Sequence, residues 1–234
     1  MSEERAVLAV DVGGSHVKML LSGHSESRRE ITGLAFTASH MVEAVHRASA
    51  GWTWDAVTVG IPAPVYLGRV VTEPFNLGAG WVGFDYEAAF GVPTRVMNDA
   101  AMQALGSYDG SGTMLFLGLG TGLGSAIVSD WDVQPMELAH LRFRSRTFED
   151  YLGERGRRRL GAARWQRRVA EAVEHLTGAL EPDSVVLGGG NATKLDQLPP
   201  RARLGANSNA FTGGFRVWES AESLRAAATD ARAE

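Results

Sequence analysis

Residues 7–22 read VLAVDVGGSHVKMLLS and residues 115–129 read LFLGLGTGLGSAIVS, and the fold follows from setting one over the other with Asp11 above Gly118. In each stretch an apolar run that reads as a buried strand enters a glycine turn. A second apolar run leaves the turn and ends on serine, Ser22 in the first stretch and Ser129 in the second. Ala6 to Val10 is the first strand, stopped at Asp11, and Val17 to Leu21 is its return. Thr113 to Leu117 and Ser125 to Ser129 do the same around the glycine turn of residues 118–124. Two equivalent hairpins about half a chain apart predict a duplicated α/β architecture with one active cleft between the halves.

The rest of the chain fits around these hairpins. Strands are expected near Glu30–Gly33, at Ala56–Ile61, Thr94–Met97 and Ser184–Leu187, and helices at Thr37–Ala50, Asp85–Phe90, Ala100–Tyr108 and Phe211–Trp218. The clearest helix runs from Arg164 to Leu180, where Trp165, Val169, Val173, Leu176 and Leu180 form an apolar stripe. This divides the chain into a first lobe over residues 1–106, a second over 107–220 and a C-terminal tail, 221–234, whose alanine and charge predict fraying.

Composition excludes several classes. Cysteine is absent, so disulfides and thiolate metal sites are out. A formal net charge of −4 gives no reason to expect nucleic acid. The start lacks a signal-peptide pattern and no window is apolar enough for a membrane span, so the reading is cytoplasmic with no membrane partner.

The glycine turns carry the chemistry. Backbone N–H groups reach a phosphate chain at close range only where no Cβ obstructs them. Gly13, Gly14 and Ser15 offer such groups at the first turn, and Gly120, Thr121 and Gly122 at the second. Asp11 ends its strand beside the first turn, and a carboxylate there makes sense against phosphate only with Mg²⁺ between them, through water. A dinucleotide fingerprint fails: the last glycine of G-x-G-x-x-G falls on Leu123 or on Ser125, and a strand follows rather than a helix. No G-x-x-x-x-G-K-[ST] motif is present.

Taken together, these residues resemble the repressor/open-reading-frame/kinase (ROK) family of sugar kinases, within the hexokinase–actin superfamily. Asp11 to Lys18 is similar to that family's first phosphate loop and Leu119 to Gly124 to its second. Ile61-Pro62-Ala63-Pro64-Val65, Asn76 with Trp81, Asn98-Asp99, Glu137-Leu138-Ala139-His140 and Val186 to Gly190 follow in the family's order, from about residue 6 to residue 218. The resemblance implies a two-lobed ribonuclease H-like fold, with ATP or polyphosphate as donor and Mg²⁺ as cofactor. It implies transfer to the 6-hydroxyl of a hexose, glucose first, with Asp99 as the catalytic base. Asn76, Asn98, Glu137, His140 and Glu149 become sugar residues, and Lys18 and Gly188, Gly189 and Gly190 join the phosphate and nucleotide set. An amino-sugar or mannose kinase, or a non-catalytic sensor retaining the fold, stays open, and so does a homodimer.

The chain departs from the family in three ways. The cysteine-rich zinc module after E-x-G-H is missing, with Leu141 to Thr147 in its place, so no zinc is expected; zinc-free members resemble the polyphosphate/ATP glucokinases. Ala139 stands where glycine is usual. The chain is short and lacks a helix-turn-helix, which argues against the repressor branch. Several of these residues also have plain structural readings. Asn98-Asp99 suits a helix cap, residues 188–190 a tight turn, and Trp81 the packing of a lobe. The run Arg155, Arg157, Arg158, Arg159, Arg164, Arg167 and Arg168 is either a solvated helix face or a track for polyphosphate.

Overall fold

The computed structural model describes residues 5–233 and divides the chain into two α/β units. The first part of the chain supplies β1 (Val7–Val12), β2 (His16–Leu21), β3 (Arg28–Ile31), α1 (Ala38–Ala48), β4 (Ala56–Ile61), the short hairpin β5 (Val65–Tyr66) and β6 (Arg69–Val70), α2 (Tyr86–Phe90), β7 (Thr94–Asn98) and α3 (Asp99–Ser107). Its main sheet has the order β3-β2-β1-β4-β7, antiparallel from β3 to β1 and parallel from β1 to β7. The central strands are buried on both faces, which is why β1 and β4 read as unbroken apolar runs. Against them pack Met41, Val42 and Val45 of α1, Tyr86 and Phe90 of α2, and Trp81.

The second part supplies β8 (Thr113–Leu119), β9 (Leu123–Ser129), β10 (Asp132–Met136), a 3₁₀ turn (Leu138–His140), β11 (Arg142–Phe143), β12 (Arg146–Thr147), α4 (Phe148–Leu152), α5 (Glu154–Leu160), α6 (Ala162–Leu180), β13 (Ser184–Gly188) and β14 (Ala202–Leu204). Here the order is β10-β9-β8-β13-β14, again three antiparallel strands followed by parallel ones. The duplication expected from the two hairpins is therefore present strand for strand. The serines that end the two stretches play matching parts: Val7 N donates to Ser22 Oγ at 3.0 Å, and Thr113 Oγ1 meets Ser129 Oγ at 3.4 Å. On α6 the buried stripe is Trp165, Val169, Ala172, Val173 and Leu176, each large side chain contributing about 1.5–3 kcal/mol of burial. Trp165 also donates Nε1–H to Leu152 O at 2.9 Å, which fixes α6 against α4.

One segment left without an assigned form takes one, and two expectations are corrected. The segment 141–147 is a small β11–β12 hairpin, and Phe143 stacks on Phe148 with ring centroids 4.6 Å apart. The tail is not frayed over its described part: α8 (Ala221–Ala233) is a helix of the second unit, with Leu224 buried and Arg225 paired in bidentate fashion with Asp130 at 2.6 and 2.7 Å. Residues 210–219, read as part of the second lobe, belong to the first unit. They carry α7 (Asn209–Arg216), whose Gly214 lies so close to β1 that a Cβ would stand 2.7 Å from the Ala9 Cβ. No described helix is long and apolar enough to cross a membrane.

Thr58 anchors that return. Its buried hydroxyl donates to Gly214 O at 2.7 Å and accepts from Trp218 Nε1 at 2.8 Å. Replacing Thr58 by valine keeps the shape and strands both partners. Urea unfolding of T58V should show a loss of about 2–3 kcal/mol, since a buried polar group left unpaired costs its full desolvation; a loss under about 0.5 kcal/mol would mean that the hydroxyl does not hold α7.

Candidate active site

In the first unit the candidate residues gather at the carboxyl ends of the parallel strands β1, β4 and β7, where open α/β sheets hold their ligands. Asp11 sits one residue from the end of β1, opposite Lys18 of β2 on one side and Gly60 of β4 on the other. A Cβ on Gly60 would stand 2.5 Å from Met102 Cε, the free end of that side chain, and at ordinary contact, 3.4 Å, from the Asp99 Cα. The first residue of α3 thus lies beside the middle strand. Burial pushes the Asp11 carboxyl above the ordinary carboxylate range, and the Lys18 ammonium pulls it partly back.

Asn98 and Asp99 divide the work that either could do alone. Asn98 Oδ1 accepts from Ala101 N at 3.1 Å, capping α3, while its Nδ2 donates to Ala63 O at 3.2 Å in the Pro62-Ala63-Pro64 loop. That leaves one N–H and one lone pair of the amide for a ligand. Asp99 Oδ1 accepts from Ala100 N at 2.8 Å, which turns the carboxylate toward the start of its own helix.

The first glycine hairpin is tied from outside. Gly13 N donates to His16 O at 2.9 Å, Thr32 Oγ1 to Gly13 O at 2.8 Å and Thr32 N to Ser15 O at 3.0 Å. Gly14 and Ser15 stay exposed, and Asn76 lies beside them, its Cβ 3.4 Å from where a Gly14 Cβ would be. Trp81 lines nothing. It is 0% exposed in the core, and Glu73 holds its loop by accepting from Trp81 N at 3.0 Å and Val82 N at 3.3 Å.

In the second unit the Glu137 and His140 side chains come together at 3.9 Å across the 3₁₀ turn, 55% and 75% exposed. The turn is fixed to β9 through Ser125, whose hydroxyl donates to Met136 O at 2.7 Å and accepts from Leu138 N at 3.3 Å. Glu149 lies against the second glycine hairpin, its carboxylate accepting from Leu123 N at 3.3 Å. A Cβ on Gly122 would stand 2.4 Å from Oε2 of that carboxylate.

The hairpin itself is held by its own glycines, by Asn191 and by Glu154, the last of which the sequence reading did not single out. Gly120 N donates to Gly122 O at 3.1 Å; Glu154 N donates to Gly120 O at 3.0 Å and to Thr121 O at 3.2 Å; Asn191 Nδ2 donates to Gly120 O at 3.1 Å. The turn of residues 188–190 packs directly on β8. Gly189, at φ +79°, comes so near that a Cβ would lie 2.5 Å from Leu119 O, and Asn191 N donates to the same oxygen at 2.9 Å. The sequence signal for this role is the asparagine that directly follows the three glycines.

The arginine run separates into groups. Arg157 and Arg158 both bind Glu154 through Nε at 2.8 Å, and these bonds hold the Glu154 carboxyl well below its usual range. Arg159 donates to Asp150 O at 2.7 Å, and Arg168 pairs with Glu171 at 2.5 Å. Arg155, Arg164 and Arg167 are exposed and have no ion pair among the described residues. A track through Arg157, Arg158, Arg164 and Arg167 is thus not a uniform one, because half of it is already neutralised. Among the described residues no group of three or more His, Cys, Asp or Glu side chains converges to hold a metal ion.

The family profile described as the ROK family matches residues 7–135. The polyphosphate glucokinase of Mycobacterium tuberculosis is 23% identical over 218 residues, covering 84% of this chain and 82% of its own. The crystal structure of the inorganic polyphosphate/ATP-glucomannokinase of Arthrobacter sp. strain KM superposes with a TM-score of 0.79 at 23% identity, over 95% of this chain and 99% of that one. A ROK family glucokinase from Streptomyces griseus, solved with glucose and AMPPNP, gives 0.72 at 18% identity over 91% and 98%.

The raised pKa of Asp11 makes a stability prediction with a definite sign. Its ionised form is penalised in the folded protein, so the penalty is absent below the unfolded-state pKa and grows as pH rises through the folded one. D11N should therefore melt above the wild type at neutral pH, and the gap should close toward about pH 4. Melting curves of both proteins across this range test it; a D11N that melts lower than wild type at neutral pH would contradict the assignment.

Proposed function

The chain belongs to the ROK family, and from that premise we propose that it is a hexose kinase, moving a phosphoryl group from ATP or polyphosphate to the 6-hydroxyl of glucose. The observation that carries the proposal is the placement of two carboxylates, Asp11 and Asp99, at the ends of strands flanking β4, with Gly60 of that strand beside both. One carboxylate suits a metal-bound phosphate and the other a proton, which is the division of labour that phosphoryl transfer asks for.

In this mechanism the Asp99 carboxylate accepts the proton of the sugar hydroxyl as its oxygen attacks the terminal phosphorus. The bond to the bridging oxygen breaks, and ADP or a shortened polyphosphate leaves with that electron pair. Phosphoryl transfer depends mainly on positioning and charge neutralisation, so Asp99 has little need of an unusual basicity. Asn98, whose cap and loop bonds fix the amide, orients a neighbouring hydroxyl, and Asn76 stands close enough to the first hairpin to do the same. Glu137 and His140 grip two adjacent hydroxyls of the ring from their shared turn. The hairpins of residues 13–15 and 120–122 hold phosphate oxygens, Lys18 supplies positive charge beside Asp11, and the turn of Gly188, Gly189 and Gly190 gives bare backbone to a nucleoside.

Mg²⁺ fits Asp11: a single carboxylate whose charge is disfavoured by burial gains from a cation, and phosphate oxygens and waters complete such a shell. When bound, the ion neutralises the developing charge on the transferred group. Mannose or an amino sugar is the second reading for the acceptor. It is supported by the name of the Arthrobacter glucomannokinase and by the fact that a Glu–His pair gripping two hydroxyls does not define every position of the ring.

A coupled assay that crosses ATP and polyphosphate with a panel of hexoses tests the proposal; no turnover with any pair would remove it. Within it, Asp99→Asn should keep sugar binding and lose roughly 10²–10⁴ in kcat, the usual worth of a positioned base. More than half of wild-type turnover in that variant would take Asp99 out of the mechanism. Glu137→Gln and His140→Ala should raise the sugar KM and leave the donor KM alone, and the reverse pattern would move both residues to the donor side.

A further inference from the structure

Three cations converge on one carboxylate at the edge of the second glycine hairpin. Glu154 takes Arg157 on both oxygens, at 2.8 and 2.9 Å, and Arg158 on Oε1 at 2.8 Å, while Lys194 Nζ stands 3.9 Å from Oε2. The backbone N–H of the same Glu154 binds Gly120 O and Thr121 O, so the cluster is fixed to the hairpin by main chain rather than by flexible side chains. A second link reaches the hairpin from the other side: Lys194 Nζ donates to Asn191 Oδ1 at 2.6 Å, and Asn191 Nδ2 donates to Gly120 O. Three positive charges meet Glu154 and, nearby on the hairpin, Glu149, so the balance is positive. Two of the three remain open to solvent, Lys194 at 46% and Arg158 at 77%.

The hairpin's own hydrogen bonding points the same way. Its three carbonyl oxygens, at residues 120, 121 and 122, are all taken. The N–H groups of Thr121 and Gly122 have no acceptor among the described residues. A loop whose acceptors are spent and whose donors remain, with cations at its edge, fits a polyanion.

We propose that Lys194, Arg157 and Arg158 form a phosphate subsite beside the Gly120–Gly122 loop, and that Glu154 occupies these cations until a phosphate of the donor replaces it. The ligand chemistry is a chain of phosphoanhydride-linked phosphates, whether the triphosphate of a nucleotide or an inorganic polyphosphate. This rests on the kinase reading for its meaning, but not for its measurement. A chain of phosphates longer than the hairpin's own donors can hold needs further cations, and arginine and lysine at the loop's edge supply them without touching the sugar residues. Glu154 then acts as an internal competitor. It keeps three cations from repelling one another in the free protein and sets how strongly the subsite attracts anions.

Calorimetric titration of the sugar-free protein with inorganic tripolyphosphate, and separately with ATP, reads the subsite without any turnover. Lys194→Gln and Arg158→Gln should each raise the tripolyphosphate Kd about tenfold, the worth of one charge-assisted hydrogen bond, and Lys194→Arg should restore most of it. Glu154→Gln should tighten binding severalfold, because it removes the competing anion while leaving the backbone bonds to the hairpin. That opposite sign is what a purely structural cluster would not give: there, every one of these variants would weaken binding or leave it alone. The subsite is overturned if Glu154→Gln weakens tripolyphosphate binding, or if Lys194→Gln and Arg158→Gln leave both Kd values unchanged. Effects on tripolyphosphate alone assign the subsite to inorganic chains, and equal effects on ATP assign it to the triphosphate of a nucleotide. If no hexose is phosphorylated and the binding pattern holds, the kinase reading fails and the subsite stands. Turnover with unchanged Kd values gives the converse.

Discussion

A backbone loop that is to hold phosphate must first dispose of its own carbonyl oxygens. Each peptide that offers an N–H also carries an acceptor, and an acceptor facing a polyanion repels it. Both hairpins of this chain engage carbonyls of the turn by the same device with different parts. In the first, the carbonyls of Gly13, Ser15 and His16 are taken by Thr32 Oγ1, Thr32 N and Gly13 N. In the second, those of Gly120, Thr121 and Gly122 are taken by Glu154 N, Asn191 Nδ2 and Gly120 N. The surrounding architecture then has a clear purpose. The edge strand β3 delivers Thr32, and the linked helices α4 and α5 together with the turn after β13 deliver Glu154 and Asn191.

A second constraint acts on the carboxylate of Asp11. Asp11 is placed where its charge is costly, at the end of a central strand, and its neighbours are arranged to moderate that cost: Lys18 across the antiparallel pair, and Gly60, without a side chain, across the parallel one. Asn98 Oδ1 caps α3 by accepting from Ala101 N, and Asp99 Oδ1 accepts from Ala100 N.

Most of the architecture was legible because central strands buried on both faces leave unbroken apolar runs, and the echo between residues 7–22 and 115–129 gave the duplication. What escaped was structure whose signal is not apolar. β3 was expected two residues late because its pattern is Arg28, Arg29, Glu30, Ile31, an edge strand with charge on its open face. β10, with Asp132, Gln134 and Pro135, was missed for the same reason, and α8 was dismissed for its alanine and charge although Leu224 and Arg225 dock it. Among the site residues, glycines, Asp11 and Asn98-Asp99 could be read from motif order. Glu154 and Lys194 could not, since each is one charged residue among many until the fold brings them within reach of the same loop. Trp81, whose reading as packing of a lobe was one of those offered, lies in the core.

The return of α7 to the first unit bears on how this protein is made. The first sheet is complete in sequence by residue 98, yet the helix that covers Ala9 and Met102 arrives only with residues 209–216. During synthesis the early strands emerge with part of their apolar surface uncovered, and the buried hydroxyl of Thr58 waits for Gly214 and Trp218. The second unit, whose sheet strands lie within residues 113–204, can form its own core in that interval. The half that begins first therefore waits for a segment made after nearly all of the second, and a ribosome stalled midway would display a sheet with a bare face, the kind of surface on which chaperones act.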